Sequence, residues 1–269
     1  MAQSAEAANA AGQDVPEQVT KNAGVYIYGL VPEDVEVSGD ARGIGDEAPE
    51  IRLIRHGEIA ALVSDVAPGR PLGTPDDLFR HGALLDATAA EVPVIPLRFG
   101  SVMTNEKAVV EELLTPHHDE FRSALDELEG RAEYVIKGRY VDQAVFREVL
   151  SEVPEAAQLR EQIQGQSEDL TRNARIRLGE LINQAVVAKR EADTQTLAEE
   201  VGPLATLTVI REPSHEQDAV HVAVLMETDR QDELERVVNE FADRWSGRVE
   251  MRVLGPLAPY DFITARTQE

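Results

Sequence analysis

The chain contains no cysteine, and this absence excludes disulfide bonds, thiolate catalysis and cysteine-based zinc sites. Aromatic residues make up only 4% of the 269 positions, so the hydrophobic cores must be built mainly from leucine, valine, isoleucine and alanine. No apolar run reaches the roughly 20 residues that a bilayer-spanning helix requires. A signal peptide has a basic stretch followed by an apolar stretch, and residues 1–23 do not show this order. We therefore expect a cytoplasmic protein.

Basic residues are also scarce. The chain has 26 basic and 50 acidic residues, which gives it a formal net charge of -24 at pH 7. A surface of this sign repels phosphate backbones and anionic lipids, which argues against nucleic-acid or membrane binding. Solubility alone explains most of these carboxylates, and a salt-adapted host would show a similar balance. The same charge would also help a protein that holds an aggregation-prone partner in solution.

Hydrophobic periodicity predicts an α+β fold with two α+β domains joined by a long helical segment. Residues 1–23 are polar and small and are predicted to be a disordered N-terminal tail. Residues 24–140 are predicted to be an N-terminal α+β domain with two helical stretches on one face of five strands. One helix should begin after Thr74 and another at Thr104. The five strands are expected at residues 24–30, 51–55, 59–63, within 92–102, and at 132–137.

Residues 141–202 are predicted to be a helical segment that packs between or across the domains. From about residue 154 to 200, apolar positions recur every three, four or seven residues, which predicts one continuous helical stripe roughly 60 Å long. Gly165 and Gly179 are expected to weaken this helix without ending it. Residues 203–269 then read strand, strand, helix, strand, and this order predicts a modified ferredoxin-like C-terminal domain.

No residue pattern in the chain points to a reaction centre. The histidines and acids at 117–120 are adjacent, and adjacent helical residues do not converge on a metal as an i, i+4 pair would. Ser101 lacks the surrounding glycine pattern of a nucleophile elbow. Gly43 and Gly45 lie among carboxylates that would repel phosphate. We therefore predict no catalytic, cofactor-binding or metal-binding residues.

Two proline-rich segments are the most informative parts of the chain. Residues 92–102 (VPVIPLRFGSV) and 255–262 (GPLAPYDF) set apolar and aromatic residues among prolines and glycines, as rigid sheet edges and turns do. Tyr260 and Phe262 alternate and are predicted to share one face of a strand. The candidate protein-interaction residues are Arg98, Phe99, Tyr260 and Phe262. The alternatives are a structural ion pair for Arg98 and core packing for the two aromatic residues of the second segment.

Three motifs in a fixed order resemble those of the gas vesicle protein GvpF/GvpL family, over residues 24 to 265: YIYG at 26–29, PLRFGSV at 96–102 and GPLAPYDF at 255–262. The resemblance implies a non-enzymatic accessory or minor structural protein, located at gas vesicles within the cytoplasm and needing no cofactor. Its expected partners are the hydrophobic major shell protein and other accessory proteins of the vesicle. It would assist nucleation and assembly of the vesicle by preventing aggregation of the shell protein.

Two other classes of function stay open at the level of sequence, because a ferredoxin-like scaffold hosts many activities. One is an enzyme, which predicts a pocket with converging polar groups and perturbed carboxylates or histidines. The other is a ligand-sensing regulatory module, which predicts a small-molecule site at a domain or subunit interface.

Overall fold

The computed structural model describes residues 24–264 except residues 46, 68 and 142, so the tail predicted at 1–23 lies outside the described residues. Helices and strands are mixed along the chain, and this confirms the predicted α+β class. The described strands form two antiparallel sheets, with helices between them and on their outer faces. Within the described ranges, no helix combines the length and the apolar character needed to cross a bilayer.

The first sheet has the strand order β2-β3-β1-β4, with β5 also paired to β1. Its central strand β1 is a run of valine, tyrosine and isoleucine that is buried on both faces. Gly57 adopts a positive φ of 59° and closes the tight turn between β2 and β3, which confirms the predicted hairpin. The bounds are β1 Gly24–Pro32, β2 Arg52–His56, β3 Ile59–Val66, β4 Ile95–Pro96 and β5 Val102–Met103.

Helix α1, Pro75–Ala89, covers the outer face of the first sheet and has the predicted start. The Thr74 hydroxyl accepts a hydrogen bond from the Asp77 amide at 3.1 Å, and the Asp77 carboxylate accepts one from the Thr74 amide at 3.2 Å. This reciprocal capping box satisfies two amides that the helix leaves open. Leu85 then packs with β1 and β3 in the core between α1 and the sheet.

The second helical stretch starts one residue later than predicted, because Asn105 rather than Thr104 caps it. The Asn105 side chain accepts a hydrogen bond from the Ala108 amide at 2.9 Å and opens α2, Glu106–Ala108. The chain continues as a π-helix over Val109–Leu114. After Pro116 it resumes as α3, His118–Leu128, and both segments bury leucines toward the first sheet.

The second sheet has the strand order β7-β8-β6-β9. The prediction that the strand at 132–137 belongs to the first sheet is wrong, because β6 pairs with β8 on one side and β9 on the other. Local periodicity identifies a strand but not its partner, which only the register reveals. The division of the chain into domains at residues 140 and 202 stays a prediction. The bounds are β6 Arg131–Tyr140, β7 Leu207–Ile210, β8 Asp218–Glu227 and β9 Val249–Leu257.

The helix predicted to run unbroken from residue 154 to 200 is two helices. Gly165 has a φ of 77° and interrupts the backbone between α5 and α6, as a left-handed glycine does at many helix ends. Gly179 lies inside α6 and does not end it, as predicted. Helix α6 is about 50 Å long at 1.5 Å per residue. The bounds are α4 Ala144–Glu152, α5 Pro154–Ile163, α6 Glu168–Val201 and α7 Gln231–Arg244.

The two halves of α6 have different neighbours. The C-terminal part, with Leu197 and Val201, packs beside α7 on the outer face of the second sheet. The N-terminal part packs against α4 and α5. Its outward side leaves Leu170 80% exposed and Ile176 53% exposed. The predicted role of this segment across both domains stays a prediction.

A central core lies between the inner faces of the two sheets, and the π-helix and α3 fill it together with the last helix, α8, Tyr260–Thr264. The prediction that Tyr260 and Phe262 share a strand face is therefore wrong. Pro259 precedes the first helical residue, a placement that suits a helix start. Residues two apart on a helix point about 200° apart, so Tyr260 reaches α1 while Phe262 enters the central core.

Candidate interaction surface

The first proline-rich segment forms an exposed turn between β4 and β5. Gly100 has a φ of 92° and lets the chain reverse, and the Ser101 amide donates to the Arg98 carbonyl at 3.3 Å. The side chain of Arg98 is exposed, and no carboxylate of the described residues pairs with it. An unpaired arginine at the tip of a tight turn can reach a partner with all five of its donors.

Phe99 fixes this turn against the first sheet. Its ring is half-buried, with its centroid 6.0 Å from that of Tyr26 and 5.5 Å from that of His81. Gly73, just before α1, is so close that a methyl group added to it would lie 4.0 Å from the Phe99 ring. The turn at 97–101 therefore lies beside the N-terminal end of α1.

Two large apolar side chains lie on the outward side of that same helix end. Phe79 is 73% exposed and Leu78 is 51% exposed, whereas the buried positions of α1 follow a spacing of four from Asp77 to Ala89. This pair is not among the interaction residues that the sequence pattern predicts. The signal that could have found it is the mismatch between two adjacent large apolar residues and the buried stripe of the helix. We call Leu78, Phe79, Arg98 and Phe99 the candidate surface.

A buried hydrogen-bonded chain of three rings lies beneath the candidate surface. The Tyr26 hydroxyl is 2.9 Å from His81 Nδ1, and the Tyr260 hydroxyl is 2.9 Å from His81 Nε2. Burial raises the pKa of Tyr26 to about 12 and lowers the pKa of His81. All three rings are therefore neutral near pH 7, and they connect β1, α1 and the C-terminal helix without a buried charge.

The Asp77 carboxylate fixes the first turn of α1 to the neighbouring loop. It is 1% exposed and accepts hydrogen bonds from Arg70 at 3.0 and 3.2 Å and from the Gly45 amide at 3.2 Å. Burial by itself would raise the pKa of Asp77, but the hydrogen bonds from Arg70 and Thr74 hold that pKa below its usual value. The first turn of α1, which carries Leu78 and Phe79, is therefore fixed through Asp77 to Arg70 and to the loop at Gly45.

The C-terminal proline-rich segment, residues 255–262, links helix α1 of the first half to strand β6 of the second sheet. The Ala258 amide donates to the Asp86 carboxylate of α1 at 3.0 Å, and the Asp261 amide donates to Glu133 of β6 at 3.1 Å. Arg211 donates to Glu133 at 2.6 Å and to Asp261 at 2.5 Å. Phe262 is 5% exposed and lies in the central core. The segment thus acts as an intramolecular clasp in this structure.

Glu133 is the most perturbed carboxyl of this clasp. It is 1% exposed, and its burial, followed by the negative charge of Asp261, raises its pKa to about 7. The Asp261 amide and Arg211 act in the opposite direction without restoring the usual value. Near neutral pH the folded protein therefore holds a proton at Glu133 that the unfolded chain has already released.

This proton makes folding sensitive to pH in a defined direction. Because the folded pKa of Glu133, about 7, lies above the ordinary 4.5, the stabilising contribution is complete below pH 4.5 and is lost as the pH rises through 7. We expect the Glu133→Gln variant to lack this loss, which amounts to on the order of 3 kcal/mol in the free energy of unfolding. Urea titrations at intervals from pH 5 to 8 measure it.

The exposed Glu129→Gln variant is the matched control for this titration, since it removes one carboxyl two residues before the start of the same strand. Its unfolding free energy should follow the wild-type pH profile. If Glu133→Gln also follows the wild-type profile, Glu133 does not carry the proton that this structure assigns to it.

Other titratable groups do not assemble into a reaction centre in the part of the chain that the structure describes. His117 lies 3.2 Å from Glu120 and His118 lies 3.1 Å from Asp119, and both contacts are exposed at the start of α3. Among the described residues, no group of three or more histidines and acids is arranged to hold a metal ion.

Comparison with known proteins shows that the chain is similar to gas vesicle proteins. A family model described as gas vesicle synthesis protein GvpL/GvpF matches residues 24–264. Gas vesicle protein F of a Streptomyces species is 29% identical over 242 residues, covering 88% of this chain and 98% of that protein. Gas vesicle protein F of Dolichospermum flosaquae is 23% identical over 240 residues, covering 88% and 96%. Gas vesicle protein L of the Streptomyces species is 33% identical over 125 residues, covering 42% and 46%.

Solved structures support the fold. The crystal structure of gas vesicle protein GvpF from an Anabaena species superimposes with a TM-score of 0.74 at 24% identity, covering 90% of this chain and 98% of that chain. The GvpF structure from Microcystis aeruginosa gives a TM-score of 0.72 at 22% identity, covering 90% and 99%. Because the family model matches residues 24–264 and so covers most of the chain, the chain belongs to the gas vesicle synthesis protein GvpL/GvpF family.

Proposed function

We propose that this protein is an assembly factor of gas vesicles that binds the hydrophobic major shell protein through the candidate surface. Family membership supports a role in gas vesicle formation. The observations that carry the finer proposal are the exposed pair Leu78 and Phe79 at the N-terminal end of α1 and the exposed Arg98, which no described carboxylate pairs with, in the turn next to that helix end. Aromatic and arginine side chains dominate the binding energy of protein interfaces, and no described group of side chains offers a comparable centre for catalysis.

The candidate surface is suited to an apolar partner. Phe79 and Leu78 can bury their exposed area against apolar side chains, while Arg98 can bind carbonyl or carboxylate groups at the edge of the contact. The Asp77 hydrogen bonds and the packing of Phe99 hold the surface in place before binding. Such preorganisation lowers the entropy lost on association.

In this proposal the four candidate residues from the sequence divide into two roles. Arg98 and Phe99 belong to the contact itself. Tyr260 and Phe262 support it from inside, since Tyr260 bonds to His81 of α1 and Phe262 anchors the C-terminal helix in the central core. A shell-protein contact with Tyr260 or Phe262 would first require the C-terminal clasp to open.

The net charge of -24 gives the complex its solubility. Complexes that carry this charge repel one another, which opposes aggregation of the bound apolar partner before it enters a vesicle wall. We therefore place the protein at gas vesicles within the cytoplasm, with other accessory proteins as further partners. The proposed activity is binding and not bond-making.

The sheet topology supports a ferredoxin-like assignment for the second half of the chain. Its elements run β6, the three helices α4 to α6, β7, β8, α7 and β9, which is the β-α-β-β-α-β order of that fold with two additional helices before α6. The first sheet has a related arrangement, since its second strand is again at the edge and its first strand lies between the third and the fourth. We propose that both halves are variants of one α+β module.

Co-expression of the full chain with the major shell protein tests the proposed function. We expect the soluble fraction of the shell protein to rise and the two proteins to co-purify. An unchanged insoluble fraction without co-purification would overturn the proposal.

A further inference from the structure

A line of basic side chains crosses the second sheet on its inner face. Lys137 of β6 pairs with His221 of β8 on one side and with Arg252 of β9 on the other. Arg211, just after β7, donates its amide to the His221 carbonyl at 2.9 Å and extends the line to the fourth strand. Directly paired residues project from the same face of a sheet, so these four side chains form one row.

Repulsion between the positive charges in this row lowers the stability of the second sheet. Lys137 and Arg252 are directly opposite one another, and like charges in that position destabilise a sheet. Arg211 is neutralised by Glu133 and Asp261, but among the described residues no carboxylate pairs with Lys137 or Arg252. In a chain with almost twice as many acids as bases, an uncompensated pair of cations requires an explanation.

His221 adds a second and independent observation. It is 8% exposed, and its Nδ1 lies 3.2 Å from the Glu212 carbonyl, which makes Nδ1 the protonated nitrogen of the neutral ring. Its Nε2 is buried and has no hydrogen-bond partner among the described residues. A buried polar atom without a partner is destabilising, and such atoms are few in folded proteins.

The row ends at a cavity of 350 Å³ lined by Lys137, Arg139 and Arg252. Two carboxylates also line it. Asp218 already accepts hydrogen bonds from the Ser214 amide at 2.7 Å and the His215 amide at 2.9 Å. Glu250 lies opposite Arg139 in the register. Neither of these carboxylates forms an ion pair with Lys137 or Arg252 in the described part of the chain, so both cations are available to an anion in the cavity.

A larger cavity of 650 Å³ adjoins this one, and the two share Ser214 and His215. Its other walls come from α6, from the end of β6 and from the turn before β8, with Ile182 and Val186 among its apolar contacts. Both volumes fall within the range of small-molecule sites, about 300–1,000 Å³. The small basic cavity and the larger mixed one thus lie on either side of the loop that carries Ser214 and His215.

We propose that these cavities form a binding site for a small phosphate-bearing anion, with the phosphate at Lys137, Arg139 and Arg252. A phosphate dianion has enough charge and acceptor oxygens to engage all three cations, whereas a single carboxylate has not. The organic part of a phosphate ester would occupy the larger cavity. This site is independent of the candidate surface on α1 and would make the protein responsive to a metabolite.

Calorimetric titration at constant ionic strength tests the site, with inorganic phosphate and AMP as the two probes. We expect saturable binding of at least one probe to a single site. Tighter binding of AMP assigns the site to a phosphate ester, and equal binding assigns it to free phosphate. Constant ionic strength is needed because general screening would otherwise mimic a specific effect.

The double variant Lys137→Gln/Arg252→Gln should weaken binding by about tenfold or more, since two charge-assisted hydrogen bonds are lost. The control Arg172→Gln/Arg236→Gln removes the same charge from two exposed arginines of α6 and α7 and should bind like the wild type. Far-UV circular dichroism verifies that both variants are folded. Equal weakening in the control pair would overturn the proposal.

The ring of His221 provides a readout other than affinity. Burial lowers the pKa of His221, and the charges of Lys137 and Arg211 lower it further, while Asp218 acts in the opposite direction. An anion bound at Lys137, which is paired with His221 in the sheet, should offset the effect of that positive charge, raise the pKa of His221 and shift the ¹⁵N resonance of Nε2 toward its protonated value. Absence of binding by both probes would overturn the proposal, as would a salt-sensitive dimer that the Lys137/Arg252 variant abolishes.

Discussion

Replacing Arg211 by alanine is expected to lower the free energy of unfolding by about 3–5 kcal/mol, the range for breaking a buried ion pair from one side. The guanidinium lies between Glu133 and Asp261, at 2.6 and 2.5 Å, and joins the second sheet to the C-terminal helix. Without it, two carboxylates face each other at the edge of the central core. Equilibrium unfolding in urea at pH 8 measures the loss.

The pH of this measurement matters. At pH 8 most Glu133 carboxyls are ionised, because their pKa is about 7, and the loss of the cation is then felt in full. At pH 5 Glu133 is protonated in the folded protein, so the effect of Arg211→Ala should shrink. A destabilisation that is the same at both pH values would contradict the role of Arg211 as the counter-ion of Glu133.

Two further variants separate this ion pair from ordinary surface charge. Arg122→Ala removes an arginine that pairs with Glu58 at 3.2 Å on an exposed surface, and we expect a loss below about 1 kcal/mol. Glu133→Gln in the Arg211→Ala background should recover part of the lost stability at pH 8, because it removes the unpaired charge. Failure of this rescue would show that Arg211 stabilises the fold through its ion pair with Asp261 and the packing of its side chain and not through the charge of Glu133.

The clasp explains why the proline-rich residues 255–262 look like an interaction motif in the sequence. The segment is apolar and aromatic because it docks, but the partner in this structure is the chain itself. Ala258 bonds to α1, Tyr260 bonds to His81, and Phe262 packs between the sheets. Sequence alone does not distinguish docking within a chain from docking between chains, since burial of apolar area drives both.

Elements with strong local signals were predictable from the sequence. The hairpin around Gly57 and the start of α1 at Thr74 follow from turn chemistry and capping, which act over a few residues. The break at Gly165 was not predicted, because a glycine within an apolar stripe weakens a helix without always ending it. Only the positive φ of Gly165 in the structure shows which of the two outcomes applies.

Features that depend on register or exposure were not predictable. Lys137, His221 and Arg252 are far apart in sequence, and only the pairing of three strands brings them into one row. The exposure of Leu78 and Phe79 becomes evident only when the structure shows which positions of α1 are buried. Apart from Arg98 and Phe99, which the sequence pattern indicated, both candidate sites in this protein therefore consist of residues that only the tertiary structure brings together.

Replacing Phe79 by alanine is expected to weaken binding of the major shell protein about 30-fold, the equivalent of losing one interface hot spot of about 2 kcal/mol. The ring is 73% exposed in the free protein, so the stability of the variant should stay within about 0.5 kcal/mol of the wild type. Quantitative co-purification at equal expression levels, combined with urea unfolding of the isolated variant, separates loss of binding from loss of folding.

Leu170→Ala is the matched control, because Leu170 is 80% exposed but lies at the start of α6 rather than on the candidate surface. If the shell protein binds any exposed apolar residue through general hydrophobic contact, the two variants will weaken it alike. If it binds the surface formed by α1 and the turn at 97–101, only Phe79→Ala will do so, and Arg98→Gln will add to the effect. Retention of full binding by Phe79→Ala would locate the contact elsewhere on the molecule, since a single well-packed aromatic at the centre of an interface cannot be removed without loss.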